Sequence, residues 1–230
     1  MWDWSLEPTA ALYAAQNACE PLHPQFDYLK NTVSVVNDYY KSFNNYKVTA
    51  DVYDLNMKKI FTKEAIVNLP EDGVVNDVFN IDFSSATTSI QFIKLRLFDN
   101  KNKQVGSNFY WRSNNKYEGR KTITGPATAG FQDIKDLAKA KINVKYTTSV
   151  ENGKHIINLD LKNTSKSLSF FTQVQWIDYE GKPIIPSFYT NNFLCLLPGE
   201  GEHIKIETDI KKLTKSEYKL IFRGFNIEKQ

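Results

Sequence analysis

Alternation of apolar and polar residues with a period of two runs through most of this chain. Tyr46, Val48, Ala50 and Val52 share one face, with Lys47, Thr49 and Asp51 between them. That is the pattern of a half-buried strand. Ile93, Leu95 and Leu97 alternate in the same way with Lys94, Arg96 and Phe98. Further runs rich in β-branched and aromatic residues span Val33 to Tyr40, Lys59 to Leu69, Val78 to Phe83 and Gln104 to Trp111. Turn clusters such as Asp54-Leu55-Asn56, Pro70-Glu71-Asp72-Gly73 and Asp99-Asn100-Lys101-Asn102 separate them. Roughly seven short strands in about 85 residues predict an immunoglobulin-like sandwich.

A second β region begins at Ile142. Ile142, Val144 and Tyr146 alternate, and Glu151-Asn152-Gly153-Lys154 is a hairpin signal before the return strand of Ile157, Leu159 and Leu161. Phe170, Thr172, Val174 and Trp176 point to one face. Immunoglobulin-like sandwiches often bury a tryptophan on the third strand, which is where Trp176 falls. Runs at Ile184 to Tyr189, Phe193 to Leu197, His203 to Thr208 and Tyr218 to Ile227 complete the region. Between the two regions, Asn114 to Lys141 holds Gly119, Gly125-Pro126 and Gly130 and reads as a connection. Phe131 to Leu137 within it predicts one helical turn. The connection is too long for a simple loop, so part of it is expected to pack on a domain face.

The start of the chain breaks the β pattern. Thr9 to Cys19 is rich in alanine, the best helix former. Pro8 suits a first helical turn, and Pro21 and Pro24 stop the helix. A lone helix ahead of β structure has no core of its own, so it reads as the end of something larger. The segment Met1 to Phe26 is expected to dock on the first sandwich and to leave a face unfilled.

Composition narrows the function. Of 230 residues, 41% are hydrophobic, enough for packed cores, and the net charge is only +3. That balance gives no electrostatic case for nucleic acid. No run of about 18 apolar residues is present to span a membrane, and no signal peptide is visible after Met1. Cys19 and Cys195 are too isolated for a disulfide framework and read as buried small apolar residues, unpaired with each other. Asn163-Thr164-Ser165 is a formal glycosylation sequon that fits a turn.

The ends of the chain also carry a resemblance. Trp2-Asp3-Trp4, then Pro8-Thr9-Ala10-Ala11, then Ala18-Cys19-Glu20-Pro21-Leu22-His23 resemble the end of the catalytic barrel of glycoside hydrolase family 2, on the exo-β-glucosaminidase and β-mannosidase side. Gln16-Asn17 departs from the family's usual lysines. Pro186-Ser187-Phe188-Tyr189-Thr190-Asn191-Asn192-Phe193 and Leu196-Leu197-Pro198-Gly199-Glu200 are similar to the family's last sandwich, with Asn191 and Cys195 in place of the aspartate and serine often found there. Ser107-Asn108-Phe109-Tyr110-Trp111 resembles a closing strand of the preceding one. The resemblance implies a barrel remnant at 1–26, an immunoglobulin-like sandwich at 27–115, a connection at 116–141 and a second sandwich at 142–230.

A retaining glycosidase of this type needs two carboxylates about 5 Å apart, at the strand ends of a barrel of about 250 residues. The matched motif lies downstream of the family's catalytic glutamates, so the resemblance implies no catalytic residue here. Glu7 reads as a first-turn carboxylate favoured by the helix dipole, and Glu20 as structural. His23, His155 and His203 are scattered, without zinc-ligand spacing. There is no phosphate loop and no Gly-x-Ser-x-Gly elbow, so no cofactor and no metal are expected.

Aromatic residues, 13% of the chain, are the remaining lead. Tyr110, Trp111, Phe188 and Tyr189, with Tyr117 and Tyr179, are candidates for stacking on sugar rings or for contact with the missing barrel. The plainer reading places them in sandwich cores and at the barrel interface.

The sequence therefore predicts an all-β fold: two tandem immunoglobulin-like β-sandwich domains with an N-terminal helical remnant. It predicts a non-catalytic C-terminal accessory part, truncated or split from a family 2 glycoside hydrolase. Its partner would be the missing catalytic barrel, and the resemblance implies a periplasmic or secreted parent that removes terminal β-linked glucosamine or mannose. The rival is a free-standing carbohydrate-binding or cell-surface adhesion module, marked by an exposed aromatic platform.

Overall fold

The computed structural model describes residues 2–4, 6–114, 129–209 and 218–228. Tyr117, Gly119 and Gly125-Pro126 of the expected connection lie outside the described residues. The chain forms two compact units: Asn17–Asp136, and Met1–Gln16 together with Leu137–Gln230.

The first unit is a sandwich of seven strands: β1 (Leu22–Asp27), β2 (Thr32–Asn37), β3 (Phe43–Asp54), β4 (Lys59–Leu69), β5 (Gly73–Asn80), β6 (Ile90–Phe98) and β7 (Gln104–Ser113). They form a three-stranded sheet, β1-β2-β5, and a four-stranded sheet, β4-β3-β6-β7, with antiparallel pairing throughout. The alternating residues read from sequence line the core: Val48, Ala50, Val52, Ile93, Leu95 and Leu97 are fully buried, facing Val33 and Val35. Burying each of these valine, isoleucine and leucine side chains is worth about 1.5–3 kcal/mol.

Alternation fails at the start of β6, where Ile90 to Ile93 are all buried. A kinked 3-10 segment, Ala129–Asp136, packs on β6 and β7 there and covers the outer face. Ser89 Oγ donates to Asp133, and Ser113 Oγ to the Gly130 carbonyl. This is the helical turn expected at Phe131 to Leu137, lying on a domain face.

The first sandwich begins at Leu22, not at residue 27: β1 pairs with β2 from Leu22↔Asn37 to Asp27↔Thr32. Pro24 hid this strand. It is tolerated because β1 is an edge strand, where a missing N–H breaks no ladder. Gly106 lets β1 come close to β7, since a Cβ there would stand 2.8 Å from the Leu22 carbonyl oxygen.

The second unit holds β8 (Ile142–Glu151), β9 (Lys154–Asn163), β10 (Ser169–Asp178), β11 (Ser187–Tyr189), β12 (Leu194–Leu196), β13 (Gly201–Thr208) and β14 (Tyr218–Arg223). The sheets are β11-β13-β9-β8 and β12-β10-β14. The β8–β9 hairpin turns through Asn152 and Gly153 at φ of 50° and 77°, the left-handed pair that an Asn-Gly turn supplies. Trp176 is fully buried among Ile157, Leu159, Val174 and Ile204, and its ring meets Tyr218 edge-on at 5.1 Å. Most of α1 (Ala10–Ala18), up to Gln16, also belongs to this unit, with Tyr13 as its buried residue. Pro8 stands ahead of α1 rather than in its first turn.

Candidate functional site

The chain before α1 closes on itself through Asp3. The Glu7 N–H donates to Asp3 Oδ1 at 2.8 Å, the Asp3 N–H to the Glu7 carbonyl at 3.0 Å, and the Leu6 N–H to the Asp3 carbonyl at 3.2 Å. Trp2 and Pro8 form a bridge across this loop. The aspartate between two tryptophans thus folds the loop, and its neighbours are displayed.

This segment docks on the second sandwich. Glu7 Oε1 accepts from Gln175 Nε2 on β10, and Gln16 Nε2 donates to the Thr190 carbonyl at 3.2 Å. Tyr13 is 3% exposed and lies 6.1 Å from the Phe193 ring. The Trp2 ring meets Phe188 edge-on at 5.7 Å. The expectation of docking on the first sandwich is thereby corrected. Only the stretch from Asn17 onward joins that domain, because the prolines that end the helix open a strand at Leu22. Glu7 is corrected too: it precedes α1 and serves as an acceptor for Gln175 rather than as a dipole partner.

The seat beneath the segment is rigid. Asn192, 4% exposed, donates to the Val174 carbonyl and accepts from the Val174 N–H, both at 2.8 Å. Its amide continues the ladder beyond Thr172↔Leu194 as a strand would. The Trp176 N–H donates to the Tyr189 hydroxyl at 3.0 Å. Burial pushes the Tyr189 hydroxyl up to about 12, opposed by the Trp176 N–H and reinforced by Glu7. Burial raises Tyr13 further, with Tyr189 and Glu7 adding and Asn192 opposing. Both phenols therefore stay neutral beside the Glu7 carboxylate.

The nominated aromatics fall into two places. On the first sandwich, Tyr110 packs 5.9 Å from both Phe26 and Tyr28, and burial raises its pKa. Half-buried Trp111 accepts the Tyr28 hydroxyl on its carbonyl at 3.2 Å. On the second, Tyr189 supports the seat while Phe188 remains 49% exposed under Trp2. Tyr179 is exposed at the β10 turn and Tyr117 lies outside the described residues. In the same N-terminal loop that sets Trp2 on Phe188, Trp4 is 96% exposed and Leu6 57%.

Among the described residues no group of three His, Cys, Asp or Glu is placed to hold a metal ion, and no helix is long and apolar enough to cross a membrane. Cys19 is exposed and Cys195 half-buried, and the two form no disulfide with each other. Burial of both is thus corrected: Cys19 follows a short helix that buries Tyr13 alone, and Cys195 is only partly covered between the buried Leu194 and Leu196 of β12. Sequence reasoning missed Gln175 as an anchor. The doubled Asn191-Asn192 was its one visible signal for the seat.

Residues 30–117 match the mannosidase Ig/CBM-like domain, and residues 122–227 the exo-β-D-glucosaminidase Ig-fold domain. An exo-β-D-glucosaminidase of Streptomyces avermitilis is 26% identical over 99% of this chain and 26% of its own length. One from Amycolatopsis orientalis is 23% identical over 98% of this chain and 23% of its own length. The chain thus spans about a quarter of the length of the curated relatives it matches. The fold is shared with the crystal structure of an exo-chitosanase from Amycolatopsis orientalis: TM-score 0.86, 22% identity, covering 100% of this chain and 28% of that one. A β-D-mannosidase from Dictyoglomus thermophilum aligns over 100% of this chain and 24% of its own, with TM-score 0.68 and 15% identity. The matches fall on the immunoglobulin-like accessory domains of glycoside hydrolases and not on their catalytic part. The chain is a pair of Ig-fold domains of the exo-β-D-glucosaminidase and mannosidase family.

Proposed function

We propose that this chain is the accessory part of a glycosidase whose catalytic barrel seats on the open face of Trp4, Leu6 and Phe188. The substrate class would be glycans ending in β-linked glucosamine or mannose, after the named activities of the relatives. The observation that carries the reading is an asymmetry in the N-terminal segment. Glu7, Tyr13 and Gln16 anchor it to the second sandwich, yet Trp4 beside them is 96% exposed. A rigid backbone holding a bare tryptophan is organised for contact. Covering a side chain of that size is worth about 1.5–3 kcal/mol, and central tryptophans commonly dominate interfaces. Domain assignments 1–26, 27–115, 116–141 and 142–230 from sequence change in this reading at the first boundary, where residues 2–16 serve the second sandwich, and in the connection, where residues 129–136 go with the first sandwich and 137–141 with the second.

The test is capture of a separately produced catalytic barrel of the same protein by this chain. Wild type should retain the barrel. Trp4→Ser should weaken retention at least tenfold while the melting profile stays the same. Equal retention by both would refute the docking face.

A further inference from the structure

We infer that the loop end of the first sandwich carries a binding site for a polycationic β-linked glucosamine chain, built on Tyr39 and Tyr40 with Asp38, Glu71 and Asp72. The choice of glucosamine rests on the proposed function above; the existence of the site rests on the following geometry.

Tyr40, between β2 and β3, is 88% exposed and Tyr39 is 47% exposed. Two exposed tyrosines on a floppy loop would mean little, but this loop is pinned. Asn37 is fully buried, and its Nδ2 donates to the Lys41 carbonyl at 2.8 Å and the Pro70 carbonyl at 2.5 Å. Its Oδ1 accepts from the Tyr39 N–H at 3.1 Å. The Asp38 N–H donates to the Pro21 carbonyl at 2.7 Å, and the Asp72 N–H to the Tyr39 carbonyl at 3.0 Å. One amide side chain therefore ties the β2–β3 loop to the β4–β5 turn.

An aromatic ladder backs the loop. Tyr39 meets Phe43 at 5.9 Å, and Phe43 meets Tyr46 at 5.2 Å, which is 9% exposed at the core. The loop thus holds the Tyr39 ring fixed without burying it, with Tyr40 next to it in the same pinned backbone. Fixed, amphipathic rings lose little entropy on binding, and their faces suit the apolar faces of pyranose rings.

Charge chooses among sugars. Asp38, Glu71 and Asp72 are all exposed at this end. The one lysine of the two loops, Lys41, sits 5.6 Å over the Phe43 ring. Three carboxylates around an aromatic pair complement a chain with one amine on every ring, through charge-assisted hydrogen bonds and cation–π contact. The match of residues 30–117 to an Ig/CBM-like domain agrees with a sugar-facing role. An accessory site of this kind would hold the polymer while catalysis proceeds elsewhere.

Calorimetric titration of the full chain with β-linked glucosamine hexamer, at low salt and mildly acidic pH, tests this. The N-acetylated hexamer is the uncharged comparison. Wild type should bind the glucosamine hexamer more tightly than the acetylated one. Tyr40→Ala should weaken binding at least tenfold, and Tyr39→Ala/Tyr40→Ala should abolish it. Glu71→Gln/Asp72→Asn should weaken the glucosamine hexamer several-fold and leave the acetylated one unchanged. Trp4→Ser should bind as wild type does. No binding by wild type, unaltered binding by Tyr40→Ala, or preference for the acetylated hexamer would overturn the proposal. Loss of the sugar site with Trp4-dependent barrel capture retained would refute this site alone; the converse would refute the docking reading alone.

Discussion

Single side chains decide how rigid each loop is. Asn37, Asn163, Asn192 and Asn226 are all at most 4% exposed, and each satisfies backbone groups of segments distant in sequence. An unpaired buried backbone group costs about 1–3 kcal/mol, so each amide stabilises a turn that no ladder reaches. In sequence they look like ordinary turn asparagines; only burial separates them. Trp176 was legible, because its face alternates with polar neighbours. Trp176→Ala should destabilise the second sandwich by about 3–5 kcal/mol in denaturant melts. Trp176→Phe should lose less, since the indole N–H has no acceptor among the described residues. Asp51 makes a further test. Burial alone would raise its pKa, but hydrogen bonds from Lys59 and Thr62 and the charges of Lys59 and Arg96 outweigh burial and hold it below the ordinary 3.8. A depressed folded pKa stabilises above the unfolded value and is lost as pH falls through the folded one. Asp51→Asn should therefore melt below wild type at neutral pH, with the gap closing under strong acid.

At the scale of elements, periodicity locates most strands and two prolines mislead. Lys59–Leu69 and Gln104 onward match the expected runs because each has one face on a core. β1 was folded into the helix exit because Pro21 and Pro24 look like breakers, and an edge position that tolerates proline is a property of the assembled sheet. The partner of the N-terminal segment was equally hidden. Tyr13 shows a buried stripe, but the surface that buries it is 180 residues away at Phe193. That seat gives the segment an alkaline limit. With a folded pKa raised to about 12 against an ordinary 10, the neutral Tyr189 hydroxyl contributes stability that is complete below pH 10 and lost as pH rises to about 12. Tyr189→Phe should lose about 1 kcal/mol near neutrality, where the Trp176 N–H loses its acceptor. Its denaturation midpoint should then fall less steeply than wild type above pH 10. An identical slope in both would place the alkaline transition elsewhere.

For the whole molecule, sequence motifs carried more than chemistry did. The aromatic-Asp-aromatic start and the Pro186 to Phe193 and Leu196 to Glu200 runs point to the right domains, while the intervening strands are generic. The four nominated aromatics were separable only by packing. Tyr110 and Tyr189 are structural neighbours of buried groups, Trp111 is half-buried, and Phe188 alone of the four is exposed. Ion pairs among the described residues lie on sheet surfaces at Asp51, Glu207 and Asp77 and in the turn after β10 at Glu180. The central claim is that hydrolysis belongs to a part outside these two sandwiches. The most direct test is release of p-nitrophenol from aryl β-glucosaminide and aryl β-mannoside by the purified chain. The account predicts a rate equal to buffer at every pH at which both sandwiches remain folded. Turnover above buffer that disappears when a carboxylate of this chain is replaced by its amide would contradict it.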